Sequence, residues 1–523
     1  MKKLILPLAS AMFFSCASSD PVQQWPSAGG PNSSYEVTDT KHDAPKNFSV
    51  SDGTNIKWTM DLPEAGQSGI AIHGNKAFLT IIEPVTKENY VKTGSNIRGL
   101  CIDLSSRKIL WQCKLTGKVK ANYLYGFSDS TTPTPVTDGK NVWFFNASGQ
   151  IACYTTKGEK VWERNWDPIE KLDGVKFPFN KQYEPIISGN LIINVEPYYE
   201  KDGERTYGWN YLFAFNKLTG EKVWVSEGAL THYNTPFLSK TAEGKDAILI
   251  GRGGHHRVPE APRGYSMIDA QTGKSIWEYE ADAGMCLYQS SWNDKYAIWM
   301  TYDGIIHLLD SKTGKLIKKI SITENVDAEI YDKKQRKLIQ HKDFNITKSV
   351  GITIFPAWFS TMLIDDKLYF MCFGPERYGP VKKAGPINAF ARVDLKTNKV
   401  EYVQFPTSLV DNKKTWLENI PASTINNRDL DIAGDKRSKR DGWSWVFNGN
   451  PICVNNKIYY TLQNGRVYVI DAKAEKFDQT ALLSISDLGE AGQTWSLNTP
   501  SFANGKLYHR TLKQLICIEE DKK

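Results

Sequence analysis

The sequence predicts an all-β fold, an eight-bladed β-propeller with four-stranded antiparallel blades, and three observations predict it. A short hairpin pattern is written eight times along the 523 residues. A common prelude of Thr-Pro or Asn-Pro and two apolar strands precedes many of the copies, and a lone Trp-bearing strand near the N-terminus complements a truncated last copy. Units of four short strands repeating over roughly 40 to 50 residues describe propeller blades.

The hairpin is clearest in Ala214–Trp224 (AFNKLTGEKVW) and Met267–Trp277 (MIDAQTGKSIW). An aliphatic or aromatic run supplies a strand, and Asp or Asn at the third position bonds the backbone of a turn. Thr-Gly then gives a residue that accepts positive φ, and a second strand ends in Trp with its large apolar surface. Weaker copies keep the acid and lose other letters. Cys101–Trp111 has Asp103 but Arg107 where Gly is expected, and Cys153–Trp162 is one residue shorter, with Thr155 and Gly158. Leu308–Lys318 keeps Asp310, Thr313 and Gly314, Arg392–Tyr402 ends in Tyr, and Val469–Gln479 keeps little beyond Asp471. The eighth copy stops at Leu515–Glu519, so Ile56–Leu62, a single strand carrying Trp58, is expected to complete it and close the ring, removing free sheet edges.

The prelude stands at Thr134-Pro135, Thr235-Pro236, Asn450-Pro451 and Thr499-Pro500, with Glu184-Pro185 as a variant. With the hairpin it makes four strands per blade, A to D from the axis outward. The A-x-D-x-x-T-G-K-x-x-W pattern resembles the tryptophan-docking repeat of the pyrroloquinoline-quinone-like eight-bladed propellers over about residues 55–520. That family holds quinoprotein alcohol dehydrogenases and also non-catalytic lipoproteins, such as the propeller subunit of the outer-membrane barrel-assembly machinery. The resemblance implies the fold and leaves the function open.

One closed propeller absorbs nearly the whole chain, so the expected organisation is a signal region 1–16, a tether and N-terminal extension 17–54, and the propeller 55–520. Met1-Lys2-Lys3 followed by apolar Leu4–Phe14 is an export signal, too short for a membrane span. Phe13-Phe14-Ser15-Cys16 resembles a bacterial lipobox with Phe in place of Leu at its first position, and a Ser-rich stretch follows Cys16. Lipidation of Cys16 implies an anchor in the membrane, and the absence of Asp directly after it points by resemblance to the outer membrane. Cleavage after Ala17, which would discard Cys16, is the alternative.

Seven further cysteines would suit disulfides in an exported protein. Yet Cys101, Cys153 and Cys517 hold the position of Ala214, as small apolar residues in a packing site, and Cys113 is offset diagonally from Cys101. Net charge of +7 says little about partners. Basic runs at 333–337 and 436–440 read as solvated loops, with anionic glycan or lipid contact as the alternative. Nucleic acid is not an expected partner, and the propeller is expected to be monomeric.

The two faces differ. A–B and C–D turns are short, whereas the long segments 83–98, 116–131, 166–183, 196–209, 252–263, 324–350, 374–388 and 406–448 belong to the face of B–C and D–A connections. Long connections on a rigid scaffold are where binding groups gather. Candidates there are Tyr125, Glu184, Tyr233, Arg252, His255, His256, Glu260, Glu376, Arg377 and Trp495. The Arg252–Arg263 loop combines two glycines, two adjacent imidazoles and Glu260, which could hold a metal or act as acid and base, or simply make polar contacts. Aromatic residues beside hydrogen-bonding groups suit sugars or a planar cofactor.

Three functions compete. A quinoprotein dehydrogenase would hold pyrroloquinoline quinone and calcium in the channel, but the adjacent Cys pair typical of family enzymes is missing, as is a C-x-x-C-H haem motif. A polysaccharide-processing enzyme would pair carboxylates among Glu184, Glu260 and Glu376. A binding or scaffold lipoprotein for a protein partner or glycan at the envelope needs only an anchor, a scaffold and an elaborated face. The last is the expected function, with no cofactor, no metal and no catalytic residue.

Overall fold

Eight sheets follow one another along the chain, and each opens on its innermost strand. Residues 71–115 form blade 1, 136–165 blade 2, 186–230 blade 3, 237–280 blade 4, 291–321 blade 5, 362–403 blade 6 and 452–487 blade 7. The computed structural model describes residues 23–520 except 40, 91–92, 125–128, 168–182, 202–203, 231–233, 253–262, 282–290, 302, 333, 347–351, 354, 358–359, 374–384, 387, 411–412, 417–419 and 444–447. The export signal and Cys16 therefore lie outside the described residues.

Blade 8 combines Ser501–Ala503, Lys506–Arg510 and Gln514–Ile518 with the N-terminal strand Ile56–Asp61. That strand pairs antiparallel with the last one, Thr59 opposite Ile516 and Met60 opposite Leu515. The inner strand of blade 8 also meets Ala71–His73 of blade 1. Thus the closure expected from the lone Trp58 strand is present.

The repeat residues do local work first. Asp269 Oδ1 accepts the backbone N–H groups of Gln271 and Thr272, and Asp310, Asp394 and Asn216 cap their own turns in the same way. Gly220, Gly273 and Gly314 have φ of 74°, 73° and 68°, while Arg107 and Asn398 take the same conformation in the degenerate copies. A bulge recurs where strand C enters the turn, between Cys101 and Ile102, Ala214 and Phe215, and Met267 and Ile268. It sets Trp111, Trp224 and Trp277 opposite Cys101, Ala214 and Met267.

Each tryptophan then reaches the next blade. A Cβ added at Gly158, Gly220, Gly273 or Gly314 would lie 2.5–2.9 Å from the ring of Trp111, Trp162, Trp224 or Trp277 respectively. The indole N–H groups of Trp111, Trp162 and Trp277 donate to the carbonyls of Thr156, Lys217 and Ser311 in those same turns. Trp224 and Trp277 are buried, whereas Trp111 and Trp162 are only half-buried. The turn glycine is thus both the left-handed residue of its own hairpin and the floor under its neighbour's indole.

Residues 23–54, upstream of the blades, are folded into the ring. Gln24–Trp25 pairs with the axis-facing edge of blade 1, and Glu36–Val37 pairs parallel with that of blade 7. Gln24 lies opposite His73 at the short-turn end and Val37 opposite Val454 at the same end, so the chain enters the channel there, turns within it and leaves by that face. Inside, Trp25 is fully buried and Tyr35 packs on Phe237 of blade 4. Beyond His42, the chain runs outward along blade 7, where Phe48 N–H donates to Ser486 and Ser49 bridges Asp487.

Several segments differ from expectation, and the expected loop 196–209 falls largely in Leu191–Lys201 and Glu204–Asn216, paired strands of blade 3. Val326–Asp332 and Lys337–Phe344 form a hairpin that adds in parallel to the outer strand of blade 6. Blade 7 carries a longer C–D connection, so its outer strand is Leu482–Asp487 and not the segment ending at Gln479. All six described cysteines are free and buried, and Cys113 faces Gly99, two residues from Cys101.

Candidate functional site

On the long-loop face, Glu184 and Thr134, just before the inner strands of blades 3 and 2, are pulled into the scaffold. Glu184 accepts the Thr134 N–H (2.8 Å) and the Thr134 hydroxyl (3.1 Å), and Thr134 Oγ1 accepts the Gly69 N–H (3.0 Å). The preludes of blades 1, 2 and 3 are therefore laced together. Burial pushes the Glu184 carboxyl up to about 7, against the stabilising bonds from Thr134. Tyr35, rising from the channel segment, feels the Glu184 charge, and burial raises its phenol far above its ordinary value. Its hydroxyl accepts from Asn450 of blade 7 at 3.1 Å.

Arg252 ends the second strand of blade 4 and is buried, with Nη2 3.4 Å from Glu278 and 3.5 Å from Glu280. Trp495, expected as an open aromatic platform, is buried, and its indole donates to the Ser438 carbonyl at 2.9 Å. It lies in an apolar cluster with Tyr123, Leu124, Ala422, Ile432 and Leu512. None of Glu184, Arg252 and Trp495 bonds another. Tyr125, Tyr233, His255, His256, Glu260, Glu376 and Arg377 lie outside the described residues.

The cover over Trp495 is residues 420–443, which cross from blade 7 to blade 1. Asn426 and Arg428 bind Glu64, Asn427 donates to the carbonyls of Leu62 and Lys513, and Tyr90 donates to the Asp431 carbonyl. The Ser438 hydroxyl donates to the Leu124 carbonyl. Within this strap the basic run 436–440 is partly neutralised, since Arg437 pairs with Asp435 and Lys439 with Asp431.

Beneath the strap runs a file of buried polar side chains that the sequence reading missed. Arg510 is fully buried; its Nη1 donates to the Thr80 carbonyl (2.7 Å) and Ser68 Oγ (3.3 Å), while Nε and Nη2 have no protein partner. Burial pushes its guanidinium down to about 9, with Asp129 opposing. Gln67 donates to Asp129 at 3.0 Å and leaves Oε1 unpaired. Asn498 and Ser496 donate to the Arg510 carbonyl, and both side-chain atoms of buried Gln463 lack partners. A charged residue flanked by the apolar positions Tyr508 and Leu512 was the available signal for Arg510.

Residues 100–286 match the family model described as outer membrane protein assembly factor BamB. These are PQQ-like propeller repeats. Among solved structures, the chain is similar to a europium-containing methanol dehydrogenase at 11% identity, covering 93% of this chain and 89% of that one with a TM-score of 0.52. It is also similar to the quinohemoprotein alcohol dehydrogenase from Comamonas testosteroni at 12% identity, covering 97% and 82%, again with a TM-score of 0.52. At such identities the likeness concerns the PQQ-like propeller fold. No curated protein matches the chain in sequence.

Among the described residues, the channel of this propeller is occupied by the chain's own N-terminal segment. Trp25 and Tyr35 take up axial space. The acids nearest the axis are spent on the scaffold: Glu184 on Thr134, Asp129 on Thr131, Leu124 and Gln67, and Glu64 on Ala65, Val85 and the strap. No group of three or more His, Cys, Asp or Glu converges as an ion site among the described residues.

Proposed function

We propose that the chain is an exported, lipid-anchored PQQ-like propeller that acts as a binding or scaffold module at the cell envelope, taking a protein partner or glycan on its long-loop face. The observation that carries this reading is the occupation of the channel by the chain's own residues 23–37, beside a face built from strap, extended hairpins and long connections. A channel filled this way offers a scaffold more than a cofactor chamber. The match of residues 100–286 to an outer-membrane assembly factor supports an envelope address, and the lipobox-like Phe13–Cys16 supports an anchor.

The test is photo-crosslinking in the native envelope from exposed long-loop positions Asp429 and Glu490, with Lys157 on the short-turn face as control. One discrete protein or glycan adduct from the long-loop positions and no such adduct from Lys157 is the expected result, its composition then read by mass spectrometry. Protein or glycan adducts from Lys157 alone, or substrate-dependent dye reduction by the purified protein, would overturn the reading.

A further inference from the structure

Among the described residues, large exposed apolar side chains are confined to one zone. Leu110, Val161, Val223, Ile276 and Ile317 hold one place on the outer strands of blades 1 to 5, one residue before the repeat tryptophan or its substitute, and Leu483 lies near the start of the outer strand of blade 7. Leu218 and Leu316 sit in or beside C–D turns of the same rim. Together these are all the large apolar side chains that stand exposed among the described residues, and none is on the long-loop face. At a rise of about 3.3 Å per residue they lie within about 10 Å of the short-turn face. Blade 6 lacks the feature, with Glu401 at the equivalent place and an added hairpin along its edge.

The same rim is cationic. Each C–D hairpin of blades 1 to 7 presents an exposed lysine, among them Lys157, Lys274, Lys315 and Lys396. Asp269, Asp310, Asp394 and Asp471 each accept backbone N–H groups of their own turn, and Lys396 also pairs with Asp366. The channel segment also opens here, since Gln24 lies opposite His73 beside the A–B turn of blade 1. An anchor upstream of Gln24 is thus attached at the face that carries the lysines and the apolar rim.

We propose that the short-turn face docks on the bilayer, with C–D lysines at anionic phosphate headgroups and the rim of Val223, Ile276 and Ile317 in the interface, so that the long-loop face points away from the membrane. Single apolar residues and lysines bind a membrane weakly, but an attached chain holds them at high effective concentration, and lipid plus basic patch is a combination that orients as well as retains. The inference rests on the lipid-anchor reading above, and the two are separable by experiment.

Full-length protein carrying an environment-sensitive dye at Val223→Cys or at Ala491→Cys, an exposed long-loop position, is mixed with phosphatidylglycerol vesicles bearing a lipid-attached quencher. Several-fold stronger quenching at Val223→Cys, lost in Lys274→Glu/Lys315→Glu/Lys396→Glu and in high salt, is the expected result. Equal quenching at both positions, quenching at Ala491→Cys alone, or none at either would overturn the proposal. The intact mass of the N-terminal fragment from the same preparation reports lipidation at Cys16 independently, so a failed anchor and a failed docking face give different results.

Discussion

At the scale of single residues, the turn glycine and the indole resting on it carry the repeat. Gly273 combines a φ of 73° with a would-be Cβ 2.5 Å from the Trp224 ring, whereas Gly244 has a φ of 77° and nothing within 4 Å. Gly244→Ala is therefore expected to cost about 1 kcal/mol for the backbone alone, and Gly273→Ala to add about 1–3 kcal/mol of overpacking. Equal melting temperatures for the two variants would show that the glycine is not the indole's floor. Trp277→Ala removes a buried ring and its bond to Ser311, for an expected loss of about 3–5 kcal/mol by denaturant titration. Glu184 gives a pH signature. Burial raises its folded pKa from the ordinary 4.5 to about 7, so the native state binds the extra proton between them. The Glu184 contribution to stability is thus fully present below about 4.5 and falls as pH rises to about 7, and Glu184→Gln should flatten that segment of a stability-versus-pH curve. His509 works the other way: burial lowers it from 6.5 to about 3, so its contribution is lost as pH falls through that window. Turn chemistry of this kind was legible in the sequence because Asp, Thr and Gly act within five residues. The roles of Glu184 and Trp495 were not, because their partners Thr134 and Ser438 come from other connections.

At the scale of elements, the blades were legible from hairpin and prelude because neighbouring strands are neighbours in sequence. Closure by Ile56–Asp61 was legible too, from the missing partner of the last strand. Deleting residues 55–63 should expose the edge of Gln514–Ile518, and an unpaired apolar edge templates association. The expected outcome is a several-kcal/mol loss with aggregation by light scattering; a monomer with unchanged melting would rule out that strand as the clasp. The channel segment was not legible. Its two short strands pair with blades 1 and 7, and Glu36 meets Cys453 across more than four hundred residues, with no repeat letter to announce it. The hairpin Val326–Phe344 escaped notice for a related reason: its strands alternate weakly and are half exposed, so they read as a polar loop until blade 6 supplies an edge.

At the scale of the molecule, the fold and the function separate. The propeller that resembles alcohol dehydrogenases in outline fills its axis with Trp25 and Tyr35 and spends Glu184, Asp129 and Glu64 on lacing its own connections. An enzyme of that family needs the quinone held and its reactive carbon reached by substrate, and cofactor chemistry without a holder supplies no rate. The channel segment is also tied at both ends, by strand pairing at Gln24–Trp25 and Glu36–Val37, so opening the axis would break two sheet edges and unbury Trp25. Purified protein mixed with pyrroloquinoline quinone and calcium is therefore expected to retain no quinone absorbance through gel filtration and to reduce no artificial dye with alcohols or sugars. Retention at one quinone per chain, accompanied by new proteolytic cleavage between Trp25 and Val37, would mean that the cofactor displaces the channel segment, and would return the molecule to the enzymes it resembles.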